Sequence, residues 1–249
     1  MSESSERFWG WPGWKHLVFA WLVSLAGLLW FILVYGGADF LTAHRSFRVR
    51  VYLDAELAIP FVPEAAIVYM SIYPLFVAAP FILRKRAEFF ALAMTLNLAI
   101  LIAGICFLLF PAQVAFPPPK DFGAFPNLYH FADRLSLTYN LVPSLHVALS
   151  TICIAVFARR TTAVWRILLW TWAAAIALST LLIHKHHLLD VATGFLLAGM
   201  AVEVVYPRLL RKPKETVFAN SITDKPPRQT LHRRPSLPSG GVHGRGPTL

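Results

Sequence analysis

The sequence predicts an all-α integral membrane protein with six transmembrane helices and its chemistry at one membrane boundary. Three observations predict it. Of 249 residues, 57% are hydrophobic and only 14% charged, where a soluble domain is about a quarter charged. Six apolar runs approach the roughly 20 residues that cross a bilayer. The polar exceptions, Asn140-Leu-Val-Pro-Ser-Leu-His146 and His184-Lys-His-His-Leu-Leu-Asp190, open two of those runs. Ionisable side chains at membrane depth are costly and mark function.

The runs are read in order. The first covers about 16–35 and is rich in Leu, Val and Trp; it is too long for a signal-peptide core and lacks a small-residue cleavage site, so it reads as a retained span. The second covers about 65–83 and the third about 89–110, stopping before Pro111. The fourth, about 144–158, is short with a polar start. The fifth covers about 164–182 and the sixth about 188–206. Residues 38–64, with Arg45, Arg48, Arg50, Asp54 and Glu56, leave room for a short interfacial helix. Residues 111–143 form a connection long enough to be functional. The organisation is therefore an N-terminal segment over 1–15, a six-span domain over 16–207, and a basic, Pro-, Gly- and Ser-rich tail over 208–249 that reads as disordered.

A net charge of +10 could suggest nucleic acid as a partner, but nine of the 23 Lys and Arg lie from Arg208 onward and three more form Arg84-Lys85-Arg86. That clustering sets membrane topology. With six spans, one side gathers Arg7, Lys15, the Arg84–Arg86 run, Arg159, Arg160, Arg166, Arg208 and the tail. The positive-inside rule puts that side and both termini in the cytoplasm of a plasma (inner) membrane, with Trp9, Trp11 and Trp14 as an interfacial belt. Cys106 and Cys153 fall inside apolar runs and read as small buried hydrophobes.

Span parity puts the starts of the fourth and sixth spans on the opposite, outer face, so His146, His186 and Asp190 share one boundary. His186 and Asp190 are four apart and share a helix side. Asp190 can fix the tautomer of His186, which leaves one imidazole nitrogen as a nucleophile toward phosphorus. His146 is then available as general acid and base. Its place in a first helical turn favours an anion there, with Pro143 at the helix start and Ser144 as a cap or phosphate donor. A lone histidine at a helix end is ordinarily an interfacial or capping residue, and His184 and His187 fit that description.

Pro143-Ser144-Leu145-His146 resembles the second signature motif of the phosphatidic acid phosphatase type 2 superfamily, and Ser179-Thr180-x5-His186-x3-Asp190 its third. The pattern Asn-x-x-Pro-Ser-Leu-His-Val is most similar to the branch of inositol phosphorylceramide synthase-like phosphotransferases. The resemblance implies a phosphohistidine at His186, oriented by Asp190, with His146 as acid and base, Ser144 on phosphate, and neither metal nor cofactor. It departs from the family pattern twice. Thr180 stands where an arginine usually grips phosphate, and no Lys-x6-Arg-Pro motif is present, since Asn127 lies seven residues after Lys120. Lys120, Arg134 and Lys185 are the candidate replacements, ahead of Arg45, Arg48 and Arg50.

The expected activity is that of a lipid-phosphate phosphatase or phosphotransferase, with a lipid phosphate as substrate and the bilayer as partner. Two rivals remain at this stage. A phospholipid transporter could use the same basic cavity without catalysis. A membrane metal oxidase would need several histidine boxes, which His44, His130, His146, His184, His186 and His187 do not form.

Overall fold

The computed structural model describes residues 8–211; most of the predicted tail lies outside the described residues. Seven helices follow in order: α1 Trp14–Ala43, α2 Pro63–Ile82, α3 Arg86–Leu109, α4 Pro126–Leu135, α5 Leu145–Ala158, α6 Ala163–Leu182 and α7 Leu188–Leu210. No strand occurs among the described residues. Five helices (α1, α2, α3, α6 and α7) are long and apolar enough to cross a membrane. The apolar run predicted as the fourth span is the 14-residue α5, about 21 Å long and short of the roughly 30 Å hydrocarbon thickness.

That shortness has a physical setting. α5 is apolar all round, and twelve of its residues, including Val147, Ile152, Ile154 and Phe157, are buried. A helix apolar on every side is either in lipid or in a core, and this one is the core: α2, α3, α6 and α7 surround it. The outer helices carry the lipid-facing character, with large side chains such as Trp21, Leu33, Val77, Ile167 and Leu196 exposed on their outer faces. Among them α1 is the most peripheral, with 6% of its most apolar window buried.

α1 reaches further than the predicted 16–35, because the chain continues through a π-helical turn, Ile32–Gly36, to Ala43. Here α1 presses onto α3: a Cβ on Gly104 would lie 2.4 Å from Val34 Cγ1. The two loops predicted to matter acquire structure of their own. Residues 54–58 form a 3-10 turn, and α4 interrupts the 111–143 connection after Pro126 at its first turn.

Arg159, Arg160 and the Arg84–Arg86 run gather at one end of the helices. Arg160 pairs with Glu88 at 2.5 Å and Arg159 with Glu203 at 2.5 Å, and Trp9 stacks on Phe81 at 5.0 Å nearby. The start of α5, with the polar motifs, lies at the other end.

The α1–α3 contact gives a test. Val34 is β-branched and stiff, so Gly104→Ala forces overpacking that costs about 1–3 kcal/mol. Thermal unfolding in detergent should show a Tm several degrees lower; an unchanged Tm would mean that α1 is not held at this point.

Candidate active site

Two backbone ends meet where α5 and α7 begin. Ser144 caps α5, its hydroxyl accepting the Val147 N–H at 3.3 Å. Its own N–H donates to the Asp190 carbonyl at 2.9 Å. Gly194, one turn along α7, permits this approach, because a Cβ there would lie 2.7 Å from the Ser144 carbonyl oxygen. The two polar motifs, distant in sequence, are thus joined through main chain.

The Asp190 side chain is fully buried. Its Oδ2 accepts the His187 N–H at 2.8 Å, the reciprocal contact of a helix N-terminus, and lies 3.3 Å from His186 Nδ1. That second contact is long for a hydrogen bond, as such contacts often are before substrate binds. With Nδ1–H turned to the carboxylate, Nε2 is the nitrogen that keeps a lone pair. Asp190 Oδ1 has no hydrogen-bond partner among the described residues.

His146 is fixed from α2. Its Nε2–H donates to the Tyr69 carbonyl at 2.7 Å, and its ring lies flat on the Tyr69 ring, 3.7 Å between centroids and 8° between planes. The Tyr69 hydroxyl in turn bonds Ser136 Oγ at 2.8 Å. This leaves Nδ1 of His146 as the nitrogen able to carry a transferable proton. His146 and His186 both line one cavity of about 960 Å³, with Lys185, Tyr35, Tyr69 and Asn140 around the same end.

The cations divide. Lys185 sits on the cavity wall and ion-pairs with Asp133, its ammonium 5.4 Å from the Tyr129 ring centroid. Burial, with Asp133 nearby, pushes the Tyr129 phenol up to about 12, so it remains a neutral donor. Lys120 and Arg134 are exposed and do not line the cavity, and neither does Ser144. Arg45 bonds the Leu108 carbonyl, Arg48 lies 4.3 Å over Tyr139, and Arg50 pairs with Asp54. Thr180, in the place of the family's arginine, is buried and turned back onto its own helix, its hydroxyl donating to the Ala177 carbonyl at 2.7 Å. Its carbonyl accepts the Lys185 and His186 N–H groups at 3.0 and 3.2 Å, so Thr180 anchors the turn that presents His186.

The sequence reading missed Glu56. This buried carboxylate accepts Leu53 N–H at 3.0 Å through Oε1, and Leu188 N–H at 2.8 Å and His187 Nδ1–H at 3.2 Å through Oε2. The other ring nitrogen of His187 accepts Ala115 N–H at 3.2 Å. His187 lies between Phe116 and Tyr52, at 4.5 and 5.2 Å, and Phe116 stacks on His184 at 4.0 Å. Four rings from three loops therefore form one stack behind the site. His184 closes the α6–α7 turn at φ 57, the left-handed region that non-glycine residues seldom occupy, and its Nε2–H donates to the Ile59 carbonyl at 2.9 Å. Nothing in the one-dimensional pattern distinguished Glu56 from its charged neighbours, since its partner lies 131 residues away. Tyr69 was hidden the same way inside an apolar run.

Burial, opposed by Asp190 and Glu56, lowers the His187 pKa; burial also lowers that of His184. Below the ordinary value of 6.5 the unfolded chain binds protons that the folded loops refuse. The stabilisation is complete above about pH 6.5 and is lost as pH falls toward the folded values. Glu56→Gln keeps the shape but weakens the charge-assisted bonds, which should cost about 1–3 kcal/mol and lower kcat with little change in KM. Chemical unfolding at pH 7.5 and 5.5 checks both; equal stability of wild type at the two pH values would contradict the neutral-histidine clamp.

Among the described residues, no three His, Cys, Asp or Glu side chains converge as a metal-ligand group. A comparison with curated proteins finds none that matches the chain. The family model described as the PAP2 superfamily matches residues 50–204, a stretch that contains Glu56, Tyr69, His146, His186 and Asp190, and the chain belongs to the PAP2 superfamily.

Proposed function

We propose that this protein is a six-span membrane enzyme that transfers the phosphoryl group of a lipid phosphate through a phosphohistidine at His186. The observation that carries the reading is the pairing of His186 and His146 on one cavity wall, with Asp190 buried behind His186. Nε2 of His186 attacks phosphorus and the P–O bond to the lipid oxygen breaks. His146, entering the step as the imidazolium, supplies the Nδ1 proton to that oxygen and is left neutral with its Nε2–H on the Tyr69 carbonyl. An incoming hydroxyl then gives its proton back to His146 as its oxygen displaces the imidazole. With water as acceptor the net reaction is hydrolysis; with a lipid hydroxyl it is transfer. PAP2 membership supports both outcomes, and the likeness of the Asn140–Val147 segment to the inositol phosphorylceramide synthase-like branch favours transfer.

Phosphate charge meets two groups in this reading, and an acceptor stands beside them. The free N–H groups of the first turn of α5 and its dipole favour an anion. Lys185 is the nearest cation on the wall and exchanges Asp133 for phosphate. Asn140 contributes a polar edge: its Nδ2 donates to the Tyr35 carbonyl at 2.6 Å, while Oδ1 is buried without a partner among the described residues, free to accept from a hydroxyl. Lys120 and Arg134 stand outside the cavity, and Ser144 serves as the buried cap of α5.

The test is turnover in detergent with phosphatidic acid, phosphatidylglycerol phosphate and undecaprenyl pyrophosphate. His186→Ala should lose at least about 10³-fold in kcat, in keeping with removal of a nucleophile. His146→Ala should slow breakdown and accumulate acid-labile radioactive phosphate on the protein. Failure of wild type to release or transfer phosphate from any substrate would defeat the reading.

The same reading puts both termini in the cytoplasm of the plasma membrane and the site on the outer face. A tag after Leu249 should resist protease added to intact cells and yield after lysis; digestion in intact cells would invert the orientation.

A further inference from the structure

The cavity that starts at the two histidines continues well past them. On α1 it is bordered from Tyr35 back to Val23 and on α3 from Ile100 back to Phe89. Twelve residues of α1 make a depth of roughly 18 Å, the length of an extended chain of about fourteen carbons. Apart from its mouth the lining is mostly apolar, including Phe31, Ile72, Phe76 and Leu96, and Val23, Ala79 and Phe89 border the end away from the histidines. Its α1 wall contains Leu28 and Ile32, both more than half exposed, so a lipid can enter sideways past the most peripheral helix. At about 960 Å³ it matches the upper range of small-molecule sites and is too short to enclose a long polyprenyl chain.

Two polar side chains, Ser24 on α1 and Asn97 on α3, interrupt this lining. Asn97 is half-buried and faces the cavity; its backbone carbonyl accepts Trp30 Nε1–H at 3.0 Å. A Cβ on Gly27 would lie 3.4 Å from Asn97 Oδ1, so the amide packs against α1 at this residue. No hydrogen bond joins this side chain to another described residue. An uncharged amide placed at membrane depth and aimed into a cavity is costly unless something pairs with it. Gly27 lies eight residues below Tyr35, roughly 12 Å, or about ten carbons from the mouth.

We propose that this cavity holds one acyl chain of the phosphorylated lipid lengthwise, with Phe89 and Ala93 setting the chain length and Asn97 favouring a chain that carries a mid-chain hydroxyl. The assignment rests on the phosphoryl-transfer reading for the position of the phosphate, at His186. It names the substrate as an acyl phospholipid of about fourteen carbons rather than a polyprenyl phosphate.

Two measurements test it. The first is photolabelling with a phosphatidate bearing a diazirine at the end of a fourteen-carbon chain, in wild type and in His186→Ala, with labelled peptides mapped by mass. Label should fall on residues 89–93 and 23–27, at the end away from the histidines, in both proteins. Equal labelling of lipid-facing positions such as Trp165 and Ile167 would overturn the site. The second is kcat/KM across saturated phosphatidates of eight to eighteen carbons and a 10-hydroxy analogue. Ala93→Phe should lower the ratio of sixteen- to eight-carbon turnover about tenfold, and Asn97→Leu should remove a preference for the hydroxylated chain. An unchanged length profile in Ala93→Phe would also overturn it. Cavity labelling without any turnover would leave the chain site standing and defeat phosphoryl transfer; turnover with label elsewhere would do the reverse.

Discussion

A carboxylate with no exposure to solvent, Asp190, is the constraint on which the active end depends. Burying an ionised carboxylate costs several kcal/mol unless hydrogen bonds surround it. Here they come from the His187 N–H and the His186 ring, while its own carbonyl receives Ser144 N–H. The contacts of one residue therefore fix the start of α7, the orientation of the His186 imidazole and the start of α5 together. Gly194 is part of the same requirement, since any side chain there would push Ser144 away.

The central position of α5 follows from this junction. A helix whose first residue is tied to α7 and whose other faces meet α2, α3 and α6 has no need to match the bilayer by its own length. Fourteen residues suffice because protein, rather than lipid, covers it. The cost is a space on one side: α1 meets α3 at Gly104–Val34, Trp30–Asn97 and Gly27–Asn97, yet leaves between itself, α2 and α3 the cavity that reaches the histidines. In the proposed acyl-chain reading, this helix is the side from which the lipid enters.

Behind the site, Glu56 and the His184–Phe116–His187–Tyr52 stack bind three loops that are far apart in the chain. Both histidines are held neutral by burial, and each turns one N–H to an oxygen acceptor. The acid–imidazole pair Glu56–His187 thus stands back to back with Asp190–His186 but differs in role. One is enclosed and supports; the other borders the cavity.

Much of this was legible in the sequence, and for a physical reason. Hydrophobic runs have to match a bilayer or a core whatever their neighbours, so the helices at 63–82, 86–109, 145–158, 163–182 and 188–210 fall within a few residues of the predicted runs at their starts and, save the last, at their ends. The i, i+4 spacing of His186 and Asp190, and the family pattern around Pro143 and His146, depend only on local geometry. Four things did not. The extension of α1 to Ala43, the burial that lets α5 be short, the Glu56 and Tyr69 contacts, and the separation of Lys185 from Lys120 and Arg134 are all set by residues tens to more than a hundred positions apart. Sequence by itself determined which segments are apolar and which side chains carry chemistry. Only the tertiary structure decided which of them share a cavity, because hydrogen bonds to buried carboxylates and close packing at glycine join segments that no periodicity connects.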